Sequence, residues 1–545
     1  MQRKAEQFGS SCALYYRDTT LDYQTLWDAC QAFAQGLRRT GLSAGARVAC
    51  FLPKQPETVF TLFGTSAAGG VFVPVNPLLK PRQVVHILSD CNVQVLVTSA
   101  QRLKGLQDVL QQCPDLQLVV TVDAPLAASA AAGANASCTE HYRESLATKI
   151  TGWPDFVDAD APIAAVAERI DADMAAILYT SGSTGHPKGV VLSHRNLLAG
   201  AESVASYLGN TASDRVLALL PLSFDAGLSQ LTTMFFCGGS AVLMDYLLPG
   251  DVLRALERFE VTGLGAVPPI WNQLAGLEWP SAVVQRLRYI TNTGGAMPTA
   301  TTRSLAARLP HTQIFLMYGL TEAFRSTYLP PDQVALRPDS IGRAIPNAEI
   351  LVVDANGREC APDEPGELVH RGPLVAMGYW NAPELTARRF RPAPGRPPEL
   401  STPELAVWSG DRVRRDREGY LYFLSREDDM IKTSGYRVSP TEVEEVVYGA
   451  GNIAQAAAMG LAHPSLGQAI LVLVSPVSNA GTGTDTEIDD SGHALQQAVL
   501  GHCRRELPSF MVPQAVIVLA ELPLGPNGKL DRKWLASEYS HYFQE

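Results

Sequence analysis

The sequence is poor in the features that would mark an extracellular, membrane-embedded or nucleic-acid-binding protein. Its nine cysteines, at 12, 30, 50, 91, 113, 138, 237, 360 and 503, are scattered, odd in number and never spaced as C-x-x-C. Neither a disulfide framework nor a zinc site follows from that pattern, and a reducing cytoplasm is the expected compartment. No uncharged run approaches the roughly 20 apolar residues that a spanning helix needs, and the opening MQRKAEQ lacks the apolar stretch of a signal peptide, so no membrane span is expected. Cations are in deficit: 44 Lys and Arg against 55 Asp and Glu leave a formal charge of -11. Binding to nucleic acid draws its affinity from clustered Lys and Arg, so a nucleic-acid partner is disfavoured. A fixed-period repeat is also missing.

What is present is ordinary globular material, 46% apolar and 18% charged. At 545 residues the chain exceeds what one hydrophobic core usually organises, so at least two domains are expected. From about Asp173 to Gly319, short strand-like runs (AAILYT, VLALLPL, SAVLMD, VTGLGAVP, LRYITNTGG, QIFLMYG) alternate with helical patterns. That alternation predicts βαβ units and a parallel sheet, with ligands bound at the loops beyond the carboxyl ends of the strands. The first 170 residues or so mix the same signals and read as part of the same domain. The Ala-rich stretch at 124–138 and the Pro-rich stretch at 389–404 read as exposed loops, and 479–492 as a flexible one. A charged cluster at Arg426–Asp429 is the expected boundary. The fold class is therefore α/β: a large N-terminal domain of βαβ-type sheets, 1–427, and a small mobile α+β C-terminal domain, 428–545. Within the latter, Ser439-Pro440-Thr441-Glu442 has the residues of a capping box, so a helix should begin there.

The most informative string is YTSGSTGHPKG, Tyr179 to Gly189, lying between two strand-like runs. Hydroxyls of Thr180, Ser181, Ser183 and Thr184, the flexible Gly182 and Gly185, and Lys188 offer donors suited to the oxygens of a polyphosphate. No Gly-Lys-Ser/Thr triplet ends the string, which sets it apart from the P-loop of NTPases.

This loop resembles the phosphate-binding signature of the adenylate-forming superfamily, which includes acyl-CoA synthetases, nonribosomal-peptide adenylation domains and firefly luciferases. Matches in the same order follow along nearly the whole chain: NTGGA at 292–296, YGLTE at 318–322, SGD at 409–411, the run from Ser425 to Glu444, and PNGKLDR at 526–532. The resemblance implies ATP as co-substrate, with Gly294, Gly295, Ala296 and Gly319 among the residues that bind ATP and AMP, Tyr318 stacked on the adenine, Thr321 on the α-phosphate and Glu322 holding Mg²⁺. It implies Asp411, assisted by Arg426, on the ribose, and Lys529 as the catalytic cation bridging the acyl carboxylate and the α-phosphate. It further implies a small domain that swings about Asp428 and presents Gly435 and Tyr436 for thioester formation with coenzyme A. Ser425 stands where the family usually has Gly.

By the same analogy the acyl pocket is lined by Phe224, Asp225 and Gly227 of PLSFDAGLSQL, by Pro269 and Trp271 of VPPIW, and by Gly295. Asp225 has two readings. In amino-acid-adenylating relatives an Asp in this position binds an α-ammonium; equally, it is a strand-end carboxylate capping the next helix. The overall wording looks most like acyl-CoA ligases associated with exosortase A, a bacterial system. The implied activity is ATP-dependent activation of a small-molecule carboxylic acid, fatty or otherwise acyl, to an acyl-adenylate, then transfer to coenzyme A. The alternative is amino-acid adenylation for an acyl carrier protein.

Overall fold

The strand-like runs are short and rich in Val, Leu and Ile with few charges, as strands covered on both faces require. In the computed structural model, which describes residues 1–123, 148–158, 166–180, 187–397, 399–426, 430–476, 489–523, 530 and 532–544, they assemble into three sheets. The Ala-rich stretch and most of the segment 479–492 lie outside the described residues. Its end does not, because the helix Asp489–Glu506 already starts there.

Five of the six runs form the parallel heart of the largest sheet. Ser240–Leu243, Arg215–Ala218, Gly263–Ala266, Tyr289–Asn292 and Gln313–Tyr318 lie side by side in that order, each pair parallel. The sixth run, Met174–Thr180, belongs to an eight-stranded sheet built mostly from the first 170 residues. There it runs parallel to Val71–Pro74 and antiparallel to Lys188–Ser193. Alternation along the chain announces a strand but not its neighbour, since the two sheets differ in pairing rather than in local pattern.

After Tyr318 the large sheet turns antiparallel, through Thr327–Leu329 and Ser340–Ala344, and continues into Leu421–Arg426, Leu405–Arg415, Gly366–Arg371 and Glu349–Val353. The Pro-rich stretch is not all loop. Arg389 ends the helix Pro383–Arg389, and Phe390–Pro392 pairs with Leu405–Val407, the proline sitting on an edge strand where its missing N–H costs nothing. The third sheet, of five strands, is drawn wholly from residues beyond Met430.

Two helices place the site. His194–Leu208 springs from the end of Lys188–Ser193 with a complete capping box: Ser193 Oγ accepts from Asn196 N–H at 3.2 Å and Asn196 Oδ1 accepts from Ser193 N–H at 2.8 Å. Asp225–Cys237 packs beside it, and glycines in the left-handed conformation, Gly209 and Gly238, end the two helices.

Candidate active site

Lys188–Ser193 returns antiparallel to Met174–Thr180, with Thr180 opposite Lys188. The hairpin therefore holds the two ends of the candidate phosphate loop together. Ser181, Gly182, Ser183, Thr184 and Gly185 between them lie outside the described residues. Thr180 Oγ1 is buried without a hydrogen-bond partner among the described residues.

A second loop meets this hairpin. Gln313–Tyr318 ends, one turn of 3-10 helix spans Thr321–Ala323, and the chain reverses at Phe324, whose φ of 55° is left-handed for a non-glycine residue. That conformation costs on the order of 1 kcal/mol and persists where packing over-determines it. Phe324 is fully buried, its ring filling the space beside Gly200, where a β-carbon would fall 2.4 Å from Cδ1 of the ring. The reversal fixes Glu322 before it and Arg325 after it.

Glu322 is buried, and its Oε1 accepts from Tyr379 Oη at 2.6 Å and lies 3.2 Å from Lys188 Nζ. Lys188 Nζ also donates to Tyr379 Oη at 2.8 Å, which closes a triangle of cation, phenol and carboxylate. Burial alone would raise the Glu322 carboxyl, but Lys188, Arg437 and Arg389 outweigh it and hold that carboxyl below the usual range. Burial lowers the Lys188 ammonium, Glu322 opposing, and lifts the Tyr379 phenol, so that it stays a donor. Tyr379 was not anticipated from the sequence. It lies on Gly378–Tyr379, opposite Val190, and a two-residue strand carries no periodicity that could have marked it.

On the other side of the same loop, Tyr318 donates through its hydroxyl to Asp411 Oδ2. Asp411 is buried in Leu405–Arg415, where its register partner on the neighbouring strand is Arg426. Gly319, Thr321, Tyr318, Asp411, Glu322 and Lys188 are thus gathered round one reversal of the chain. Asn292 Nδ2 donates to Gly295 O at 2.8 Å, folding Gly294, Gly295 and Ala296 into a tight turn in which Gly294 has φ 77°. The small domain reaches this turn: Gly294 lies against the carbonyl of Gly435, and a β-carbon on Gly435, φ 81°, would meet the Val267 side chain at 2.8 Å. Tyr436 packs edge-on to Phe224, ring centroids 5.1 Å apart, and stacks on Phe510 at 3.8 Å. Lys529 and Asp428 lie outside the described residues.

The expected pocket residues part company. Phe224 and Asp225 begin the helix Asp225–Cys237, with Phe224 as its N-cap and no side-chain cap bond. Asp225 Oδ2 instead accepts from Arg325 Nη1 at 2.9 Å, with the arginine 4% and the aspartate 15% exposed. Burial raises the Asp225 carboxyl and Arg325 pulls it back. Gly227 packs on backbone, where a β-carbon would meet Pro221 O at 2.0 Å. Trp271 is fully buried in the core of the large sheet, its Nε1–H donating to Thr291 O at 3.2 Å, and Pro269 is buried at the start of the same helix. Neither lines the cavity found here. That cavity, of ≈ 40 Å³, lies between the two helices and is bounded by residues including Val204, Ala226, Thr233, Thr291, Met317 and Arg325. Arg325 is the other residue that sequence reasoning missed.

Residues 1–380 match the AMP-binding enzyme family and 442–529 its C-terminal domain. The chain belongs to the AMP-binding enzyme family. It is 28% identical over 98% of its length to the long-chain-fatty-acid–CoA ligase of Salmonella typhimurium, covering 93% of that protein. It is 29% identical over 99% of its length to a polypeptide of the linear gramicidin synthase of Brevibacillus parabrevis, of which it spans only 6%. The fold is shared with a double mutant of o-succinylbenzoate CoA synthetase from Bacillus subtilis (TM-score 0.78, 24% identity, 98% of each chain). It is shared too with an amide bond synthetase from Marinactinospora thermotolerans (TM-score 0.80, 23% identity, covering 98% of this chain and 99% of that one). As in such AMP-binding enzymes, a large α/β domain precedes a smaller one. Among the described residues no helix is long and apolar enough to cross a membrane.

Proposed function

We propose that the protein activates a carboxylic acid with ATP, releasing pyrophosphate and forming an acyl-adenylate, and then passes the acyl group to coenzyme A with release of AMP. The observation that carries this reading is the convergence on one loop of the Lys188–Tyr379–Glu322 triangle and the Tyr318–Asp411 pair, with Gly435 and Tyr436 alongside. Asp411 and Arg426 would take the ribose, Tyr318 the adenine, and Thr180, Thr184 and Lys188 the phosphates. Lys188 arrives neutralised by Glu322, so a polyphosphate would compete for it as an anion.

The residues fit a magnesium ion. Glu322 supplies one buried carboxylate beside Lys188 at the end of the phosphate loop. That suits Mg²⁺, which takes one or two carboxylates and fills the remaining positions with phosphate oxygens and water. Bound there it would offset charge on the polyphosphate. Lys529 would stabilise the charge that develops as the substrate carboxylate attacks the α-phosphorus. Gly435, against Val267, and Tyr436, against Phe224, would serve thioester formation, and domain 428–545, turning about Asp428, would exchange them for Lys529. One site would then serve two half-reactions.

The alternative acceptor is a carrier-protein thiol, and similarity to gramicidin synthase favours it. The feature that pointed to an amino acid, Asp225, is weakened as support: its carboxylate is already matched by Arg325, so an α-ammonium would have to displace a buried ion pair. Acid-dependent AMP release distinguishes the acceptors. Coenzyme A alone should sustain turnover with accumulation of an acyl-CoA. Release that requires a phosphopantetheine-bearing carrier protein, with coenzyme A inert, would refute the proposed acceptor.

A further inference from the structure

Resting on the acyl-activating reading above, we infer that the Asp225–Arg325 pair and Thr233 make this site selective for compact, uncharged acids that carry a hydrogen-bonding oxygen, and against plain long-chain fatty acids. The cavity beside the Glu322 loop is small. A water needs about 10–15 Å³ measured in the same way, so ≈ 40 Å³ has room for about three water-sized groups and none for a long alkyl tail. Its wall is also not purely apolar. Arg325 Nε and Thr233 Oγ1 are both buried with no hydrogen-bond partner among the described residues, and both side chains line the cavity. Buried polar atoms left unmatched are costly, and a ligand that satisfies them recovers that cost.

Charge narrows the class further. Arg325 Nη1 is engaged by Asp225 Oδ2 at 2.9 Å, so the pair is neutral as a unit. A second carboxylate on the acid would find no uncompensated cation there, and an ammonium no uncompensated anion. A neutral oxygen, by contrast, can accept from Arg325 Nε–H and exchange a hydrogen bond with the Thr233 hydroxyl. Keto, hydroxy and hydroxyaryl acids have that chemistry. Arg325 and Asp225 act as specificity-determining residues; the reacting carboxylate is handled elsewhere, at the phosphate side of the Glu322 loop.

Acid-dependent ATP–pyrophosphate exchange on matched pairs tests this: levulinate against pentanoate, hydroxybenzoate against benzoate, with palmitate and a set of amino acids alongside. The oxygenated member of a pair should be preferred by about tenfold or more in kcat/KM, as one hydrogen bond to a charged group provides. Thr233→Val, which keeps the shape, should shrink that preference several-fold within each pair. Arg325→Met should abolish it; circular dichroism of that variant separates loss of selectivity from loss of fold, and Thr233→Val carries the test if it unfolds. Equal rates within each pair, preference for palmitate, or a response to amino acids alone would overturn the inference while leaving adenylation intact. Exchange with no acid at all would instead contradict the activity on which it rests.

Discussion

At the scale of single residues the account turns on Glu322, a carboxylate that is buried yet held ionised by three cations. Its lowered pKa is worth stability above the ordinary carboxylate range, and that stability disappears as pH falls through the lowered value. Glu322→Gln should abolish pyrophosphate exchange. It also leaves the Lys188 ammonium buried without its anion, which should cost on the order of 3 kcal/mol in denaturant unfolding. Tyr379→Phe removes a hydroxyl that donates to Glu322 and accepts from Lys188, and should cost about 1.5 kcal/mol. A fully neutral Tyr379→Phe would mean that the triangle is an accident of packing. Tyr318, Glu322 and Asp411 were legible in the sequence because each sits in a string whose order and spacing repeat a known signature. Tyr379 and Arg325 were not: a lone Tyr or Arg in an apolar stretch announces nothing until the fold shows which buried charge it answers. Asp225 carried two readings, ligand to an α-ammonium or cap of the next helix, and only the fold shows that its carboxylate accepts from Arg325.

At the scale of elements, the helix Pro440–Tyr448 begins where Ser439-Pro440 predicts, but the expected capping box does not form. Ser439 Oγ is buried without a partner among the described residues, and Glu442 turns away to accept from Gln83 Nε2 of the large domain at 3.1 Å. A competing tertiary contact overrode the local signal. The neighbouring Arg82–Glu445 ion pair crosses the same boundary. Burial lifts the Glu442 carboxyl from 4.5 to about 7, with the Gln83 hydrogen bond opposing, Glu445 adding and Arg82 opposing. The neutral form is therefore the one the fold favours: this contribution is complete below pH 4.5 and lost as pH rises through 7. Wild-type stability should fall across that window by up to about 3 kcal/mol relative to Glu442→Gln, in which the titration is removed. Parallel melting curves for the two proteins at both ends of the window would contradict it. The parallel strands were legible for a different reason, since their apolar runs are long enough to demand two covered faces. Which sheet each joined was not, because pairing partners are chosen by long-range contacts that no local pattern encodes.

At the scale of the whole molecule, two bodies of chain meet where a nucleotide and an acid would sit. Gly435 lies against Val267 and Tyr436 against Phe224, so the small domain closes the site from one side. A swing about Asp428 would have to break those contacts together with the Gln83–Glu442 hydrogen bond, which makes the pH window above a handle on domain exchange as well as on stability. Lys529→Ala should abolish adenylate formation but spare thioester formation from a preformed acyl-adenylate; loss of both, or of neither, would refute the division of labour between the two half-reactions. A large domain followed by a smaller one was readable from length, whereas the contacts between them required the fold. The most direct test of the central claim is isotope exchange between pyrophosphate and ATP in the presence of a carboxylic acid and Mg²⁺, without any thiol. The account predicts acid-dependent exchange that Glu322→Gln eliminates. Exchange that proceeds equally in the variant, or ATP cleavage that yields ADP instead of AMP, would contradict it.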